Sequence, residues 1–68
     1  MDIKELVELR RKLRVTQEQA AAGIGIPRLG LSVLESGYIA PNAETLTAYA
    51  AYLNKRLEEL RQIPKVGA

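Results

Sequence analysis

The chain has 68 residues, a formal net charge of +2, and neither cysteine nor histidine. Its length predicts one domain near the lower size limit for a core that holds without disulfides or bound metal. The absence of cysteine and histidine argues against disulfides and a zinc site, and we expect no metal and no cofactor. No apolar run reaches the roughly 18 residues that span a bilayer, and residues 1–5 lack a signal peptide's apolar segment, so we expect a cytoplasmic protein without membrane contact.

The small positive charge is unevenly distributed along the chain. Residues 1–14 hold five basic and three acidic side chains, and residues 55–68 hold four and two. Between them, residues 15–54 hold three acidic side chains against Arg28 alone. If the chain binds nucleic acid, phosphate contact is therefore expected mainly from the two ends.

Residues 2–13 are predicted to form the first helix, because apolar side chains recur there at spacings of three and four. Asp2 is suited to the N-cap position. Arg10 falls on the same stripe as Leu6 and Leu13, where a charge is costly unless a partner meets it.

Thr16 and Gln19 have the spacing of a capping box, which predicts the start of a second helix. The alanines at 20–22 continue this helix, and their small side chains allow a following helix to approach closely. Gly23 and Gly25 then break the pattern, and Gly25 suits a left-handed turn position.

Pro27 fits the first turn of a third helix that ends at Gly37, with Ile26, Leu31 and Leu34 facing inward. The connection at 22–26 is short and centred on glycine. Two helices joined in this way cross steeply, so the second protrudes and can enter the major groove of DNA.

Asn42 and Thr45 can cap a fourth helix that ends near Asn54. A short fifth helix, ending before Pro64, is predicted from three apolar residues: Leu57, Leu60 and Ile63. The predicted fold is all-α, a compact four- to five-helix bundle over residues 1–63, followed by a short flexible tail at 64–68.

These features resemble the Cro/repressor helix-turn-helix family, also called the XRE family, over about residues 3–60. The resemblance implies a lambda-repressor-like bundle with the helix-turn-helix at helices 2 and 3. It is carried by these residues: Leu9, Arg10, Leu13, Thr16, Gln17, Glu18, Ala21, Ile24, Gly25, Ile26, Arg28, Leu31, Ser32, Leu34, Glu35, Gly37, Pro41, Glu44, Thr45, Leu46, Ala50, Leu53, Leu57, Glu58, Glu59 and Leu60.

The chain departs from the family pattern at Lys55 and Arg56, where an apolar residue and a cap are usual. The break between the fourth and fifth helices is then weaker, and one bent helix is the alternative. The loop at 38–40 departs too, since it lacks the family's basic residues.

The resemblance also supplies a partner for Arg10. In some members an arginine of the first helix pairs with a glutamate that ends the recognition helix, which here is Glu35. The alternative is that both are solvated surface charges, as most charges are. The position of Arg10 on an apolar stripe favours the structural ion pair.

The third helix is expected to read bases through its outward residues: Arg28, Leu29, Ser32 and Val33. Arg28 can bind guanine through O6 and N7, and Leu29 and Val33 can press on thymine methyl groups. The family usually has polar residues at those two positions. An exposed apolar strip there is alternatively a protein-binding surface.

Phosphate contacts are expected from residues around the motif: Thr16, Gln17, Tyr38, Asn42 and Arg14. Gln17 opens the second helix, whose backbone N–H groups assist, although it is alternatively an ordinary first-turn polar residue. Tyr38 can offer its hydroxyl, or it can pack with Ile39 onto the core or a partner.

Together these features predict a sequence-specific DNA-binding transcriptional regulator, expected to be a repressor and not an enzyme. A homodimer on a palindromic operator is expected, with half-sites one helical turn apart. Dimer contacts or core packing would use Leu57, Leu60, Ile63 and Val66. The alternatives are a protein-interaction module or an antitoxin-like protein with a partner protein. A bacterial or phage-type cytoplasm, at the nucleoid, is the expected location.

Overall fold

The computed structural model describes residues 2–62, and all the regular structure within that range is helical. The helices are α1 (Ile3–Lys12), α2 (Gln17–Ile24), α3 (Arg28–Ser36) and α4 (Ala43–Gln62). The all-α class is confirmed. The predicted flexible tail and the contacts expected of Ile63 and Val66 lie outside the described residues.

A separate fifth helix is not formed, because residues 43–62 are one continuous helix of 20 residues. The predicted end near Asn54 is wrong. Nothing between Asn54 and Gln62 is glycine or proline, and the stretch is rich in lysine, arginine, leucine and glutamate, which favour helix. Leu57 and Leu60 therefore lie in the last turns of α4.

The helix starts follow the predicted capping chemistry. The Asp2 carboxylate accepts from the Glu5 N–H at 2.9 Å, and Glu5 completes a capping box at α1. At α2 the Thr16 hydroxyl accepts from the Gln19 N–H at 3.0 Å, and the Gln19 side chain accepts from the Thr16 N–H at 3.0 Å. Asn42 accepts from the Thr45 N–H at 2.7 Å and so caps α4.

The turn between α2 and α3 is shorter than predicted. Helix α2 continues through Gly23, and Gly25 ends it with a φ of +80°, in the left-handed region. Pro27 is the N-cap of α3 and not its first helical residue. Gly37, with a φ of +86°, ends α3 as predicted.

Gly23 is needed for packing, which explains why it does not break the helix. A Cβ atom placed there would lie 2.3 Å from the Cε1 atom of Tyr52. The ring of Tyr52 therefore rests directly on the α2 backbone, and α2 and α4 approach closely.

The core lies where the four helices meet. Among residues 2–62 the buried apolar side chains are Leu6, Val15, Ala20, Ala21, Leu31, Tyr49 and Leu53. The alanines of α2 allow α3 and α4 to pack on the same helix. Leu53 is the last buried residue of α4, so the final turns of that helix extend past the core.

Candidate functional site

The structure brings Arg10 and Glu35 together as an ion pair between α1 and α3. The Arg10 Nε and Nη2 atoms each donate to one carboxylate oxygen of Glu35, both at 2.9 Å. Their side chains are 9% and 6% exposed. This planar two-point contact fixes the end of α3 against α1, because both groups can be satisfied in only one relative orientation.

Three further groups complete the same network. Gln17 Nε2 donates to Glu35 at 3.0 Å, and the Tyr49 hydroxyl donates to the other carboxylate oxygen at 2.5 Å. Arg10 Nη1 donates to the Val15 carbonyl at 2.9 Å. Each helix thus contributes one side chain: α3 contributes the Glu35 acceptor, and the other three helices each contribute a donor. We call these four residues the Glu35 network: Arg10, Gln17, Glu35 and Tyr49.

The network is fully paired, which is what allows charges to be buried in so small a core. No buried side-chain nitrogen or oxygen between residues 2 and 62 lacks a hydrogen-bond partner. Removing one member would leave the remaining charge or acceptor desolvated without compensation.

Burial and hydrogen bonding set the ionisation of these groups. Burial disfavours the charged form of Glu35, but hydrogen bonds from Arg10, Tyr49 and Gln17 outweigh it and hold the pKa of Glu35 below its usual value. Burial likewise opposes the charge of Arg10, and Glu35 more than offsets it, so the pKa of Arg10 is raised. Burial, reinforced by Glu35, raises the pKa of Tyr49.

The residues expected to read bases lie on the first two turns of α3. Arg28 and Leu29 are exposed, and Leu29 has 73% of its surface accessible. Ser32 and Val33 are half-buried, so the expected apolar strip consists mainly of Leu29. Leu31, two positions beyond it, is fully buried. The N-terminal part of α3 therefore presents one face to solvent and anchors the other in the core.

The residues expected to contact phosphate have different surroundings. Gln17 occupies the first helical position of α2, but its side-chain amide already donates to Glu35, and Thr16 is engaged as the N-cap. Asn42 is similarly engaged as the cap of α4. Arg14 is exposed, with a φ of +57°, in the turn before α2.

The loop after α3 is open to solvent. Tyr38 is 88% exposed and Ile39 is 56% exposed, so the alternative that they pack onto the core is wrong. The Tyr38 N–H donates to the Ser36 hydroxyl at 3.4 Å. The loop therefore offers an aromatic and an aliphatic side chain beside α3.

Sequence reasoning missed two features of the Glu35 network. The sequence pattern indicated no polar contact for Tyr49 and placed Gln17 only at the surface. The signal for Tyr49 was only partial: a buried tyrosine hydroxyl usually has a hydrogen-bond partner, but the acid that it reaches, Glu35, is already expected to pair with Arg10. Nothing in the spacing of Gln17 indicated that its side chain would turn inward.

Residues 2–62 contain neither of two other kinds of site. No cluster of acidic side chains there has the arrangement of a metal site. No helix in the same range is both long and apolar enough to cross a membrane.

Comparison with known families agrees with the geometry. A family described as helix-turn-helix matches residues 6–60, which includes every helix from the buried Leu6 to the exposed Leu60. A search of curated proteins found no match, and neither did a search of solved structures.

Proposed function

The chain belongs to the XRE-type helix-turn-helix family, whose domains bind double-stranded DNA, and from this premise we propose that it is a sequence-specific transcriptional repressor. In this proposal α3 enters the major groove and the protein acts by binding, without catalysis, in the cytoplasm at the nucleoid. The observation that supports this proposal best is that one face of α3 is exposed and the other is held in the core. Arg28 and Leu29 are exposed, while Leu31 and Glu35 anchor the helix from behind.

Base reading is assigned to the outer face of α3. Arg28 is the only basic residue between 15 and 54, and it lies in the first turn of that helix. Its guanidinium can donate two parallel hydrogen bonds to O6 and N7 of guanine. Ser32 lies one turn further along the helix and would make a weaker polar contact.

Phosphate contact is assigned to the start of α2 and to the segments on either side of the helix-turn-helix. The first N–H groups of α2 lack partners within the helix and carry partial positive charge. The engaged amide of Gln17 ties this helix end to α3 through Glu35, so a phosphate bound there would set the register of α3. Further contacts are assigned to the remaining predicted residues: Arg14, Thr16, Tyr38 and Asn42.

A homodimer on a palindromic operator follows because one α3 can contact only a few base pairs. The last turns of α4 are a suitable dimer surface. Leu57 is half-buried and Leu60 is 41% exposed, although both continue the apolar stripe of Leu53. We expect Leu60→Gln to weaken self-association in analytical ultracentrifugation, whereas Gln62→Ala in the same turn does not. Equal sedimentation of both variants with wild type would contradict this surface.

Selection of operators from random duplex DNA with the purified chain tests the DNA-binding proposal. We expect a palindromic motif with one guanine per half-site opposite Arg28. Arg28→Ala should relax the preference at that base and cost about 1–3 kcal/mol per half-site. The matched control is Arg61→Ala, which removes the same charge from an exposed position on α4. Recovery of no motif, with equal binding by both variants, would overturn the proposal.

A second candidate function, a protein-interaction or antitoxin-like module, is favoured by a specific observation. Residues 29–54 contain no lysine or arginine, and Leu29, Tyr38 and Ile39 are exposed in that stretch. Ionic strength separates the two functions. DNA affinity should fall steeply between about 50 and 200 mM salt, whereas an apolar protein contact should change little.

A further inference from the structure

Leu29 is the most unusual residue on the proposed DNA-binding surface. It follows Arg28 in the first turn of α3 and is 73% exposed, more than any other leucine that the structure describes. It makes no contribution to the core, because the inward position of that turn is filled by Leu31. The fold therefore gains little from a leucine at this position.

The space beside Leu29 is open. Gly30 follows it without a side chain, and a Cβ atom built there would meet only Pro27 Cδ, at 3.8 Å. Gly30 is half-buried, but apart from Pro27 and the backbone of its own helix no residue beyond its two chain neighbours comes within 4 Å of that Cβ position. An apolar side chain next to an open notch is suited to a small apolar group.

The major groove contains one apolar group at its base edges, the C5-methyl of thymine. The other edges carry hydrogen-bonding groups, namely N7 and O6 of guanine, N6 of adenine and N4 of cytosine. A leucine pressed against any of those would remove water without offering a partner, which is unfavourable. A thymine methyl instead gains from the same removal of water.

We propose that Leu29 reads a thymine in each half-site through its methyl group, at the base step adjoining the guanine contacted by Arg28. This inference rests on the proposed DNA-binding function and deepens it. Val33 lies one turn further along the same face and is half-buried, so it offers less surface to a methyl group. The discrimination is apolar, so it should not depend on salt even though total affinity does.

Deoxyuracil tests the proposal because it differs from thymine in this groove only by the missing methyl. In the selected operator, each thymine is replaced by deoxyuracil in turn and binding is measured by fluorescence anisotropy. At one position per half-site we expect wild type to lose about fourfold in affinity, and about 15-fold when both half-sites are replaced. The ratio between the thymine and uracil operators should remain constant from low to high salt.

Leu29→Ala should bind both operators equally, with an affinity close to that of wild type on the uracil operator. The exposed position of Leu29 means that this variant should keep the melting temperature of wild type. The matched control is Ile39→Ala in the neighbouring loop, which should retain the penalty for uracil. Arg28→Ala should retain it as well, since the two residues contact different bases.

The outcomes separate this inference from the function on which it rests. If wild type binds no duplex, the DNA-binding proposal fails. If wild type binds its operator but no uracil position lowers affinity, or if Leu29→Ala keeps the full penalty, the thymine contact is wrong and DNA binding stands.

Discussion

The two faces of α3 differ in what they contact. On the inner face Leu31 is fully buried and Glu35 accepts hydrogen bonds from three other helices. On the outer face Arg28 and Leu29 are exposed to solvent. These residues are close neighbours in a helix of nine residues, yet their substitution should affect different properties. Stability should depend on the inner face and recognition on the outer face.

The inner face has to hold α3 because the helix has little local stability. Its N-cap, Pro27, makes no side-chain capping hydrogen bond, and Gly30 lies within the helix. A helix of nine residues is marginal in water even with favourable caps. Contacts with the rest of the fold must therefore keep α3 helical and fix its direction.

Of the substitutions that separate the two faces, Glu35→Ala on the inner face is expected to reduce stability most. The substitution leaves the buried Arg10 without its carboxylate and removes the acceptor of Gln17 and Tyr49. We expect a loss of about 3–5 kcal/mol in the free energy of unfolding, measured by urea denaturation. The control Glu18→Ala, at an exposed position of α2, should stay within about 0.5 kcal/mol.

A chain of this size has little stability to lose, and a loss of about 3–5 kcal/mol is enough to unfold a marginal domain. Tyr49→Phe is a milder test, since it removes only the hydroxyl that donates to Glu35. We expect it to cost about 1.5–3 kcal/mol, as for other hydrogen bonds to charged groups. Equal unfolding midpoints for Tyr49→Phe, Glu18→Ala and wild type would mean that the Glu35 network does not stabilise the fold.

The sequence allowed the inner framework of the fold to be predicted better than its outer details. The N-cap at Asp2, the capping box at Thr16 and the end of α3 at Gly37 depend on neighbours within a few residues, so local patterns were sufficient to predict them. Gly23 was misjudged because its environment is set by Tyr52, which is distant in sequence. The break near Asn54 was one of two alternatives, and the structure has the other, a continuous helix, because Lys55 and Arg56 are helix formers at the positions where the family has an apolar residue and a cap.

The candidate site also combines features that local sequence predicts with features that depend on residues distant in sequence. The position of Arg10 on an apolar stripe favours an ion pair with Glu35, and the structure places the two side chains in contact. The outward positions of Arg28 and Leu29 followed from helical periodicity. The inward turn of Gln17 and the hydroxyl contact of Tyr49 depend on packing in three dimensions, which no spacing encodes.

Acid should weaken the inner face by a smaller amount than truncation does. The folded protein holds the pKa of Glu35 below its usual value, so ionised Glu35 contributes stability that is complete above about pH 4.5. That stability is lost as pH falls from there through the lower pKa of the folded state. A protonated carboxyl keeps some of its hydrogen bonds, which is why the loss is only partial.

Urea unfolding as a function of pH measures this contribution. Wild type should lose stability more steeply below about pH 4.5 than Glu35→Gln, which has no proton to gain at this position. Glu18→Gln is the matched control and should follow wild type. If Glu35→Gln and wild type have parallel profiles, the ionised form of Glu35 is not favoured by folding.

The same substitution, glycine to alanine, is expected to have opposite effects in the two helices of the helix-turn-helix, and the effect at Gly30 is the smallest. Gly23→Ala puts a Cβ atom 2.3 Å from the Tyr52 ring, so the ring must move and part of the α2–α4 contact is lost. We expect a loss of about 1–3 kcal/mol, reduced by the better helix propensity of alanine. Gly30→Ala meets only Pro27 Cδ at 3.8 Å and should stabilise the fold by about 0.5–1 kcal/mol.

The signs of the two changes, measured by thermal unfolding, decide whether Gly23 in α2 is packed and Gly30 in α3 is open. Opposite signs follow if Gly23 is required by packing and Gly30 is not. Gly30→Ala should at the same time weaken operator binding, because its methyl group would fill the notch beside Leu29. A Gly30→Ala protein that is more stable and binds the operator as tightly as wild type would show that no base edge comes close to α3 on that side.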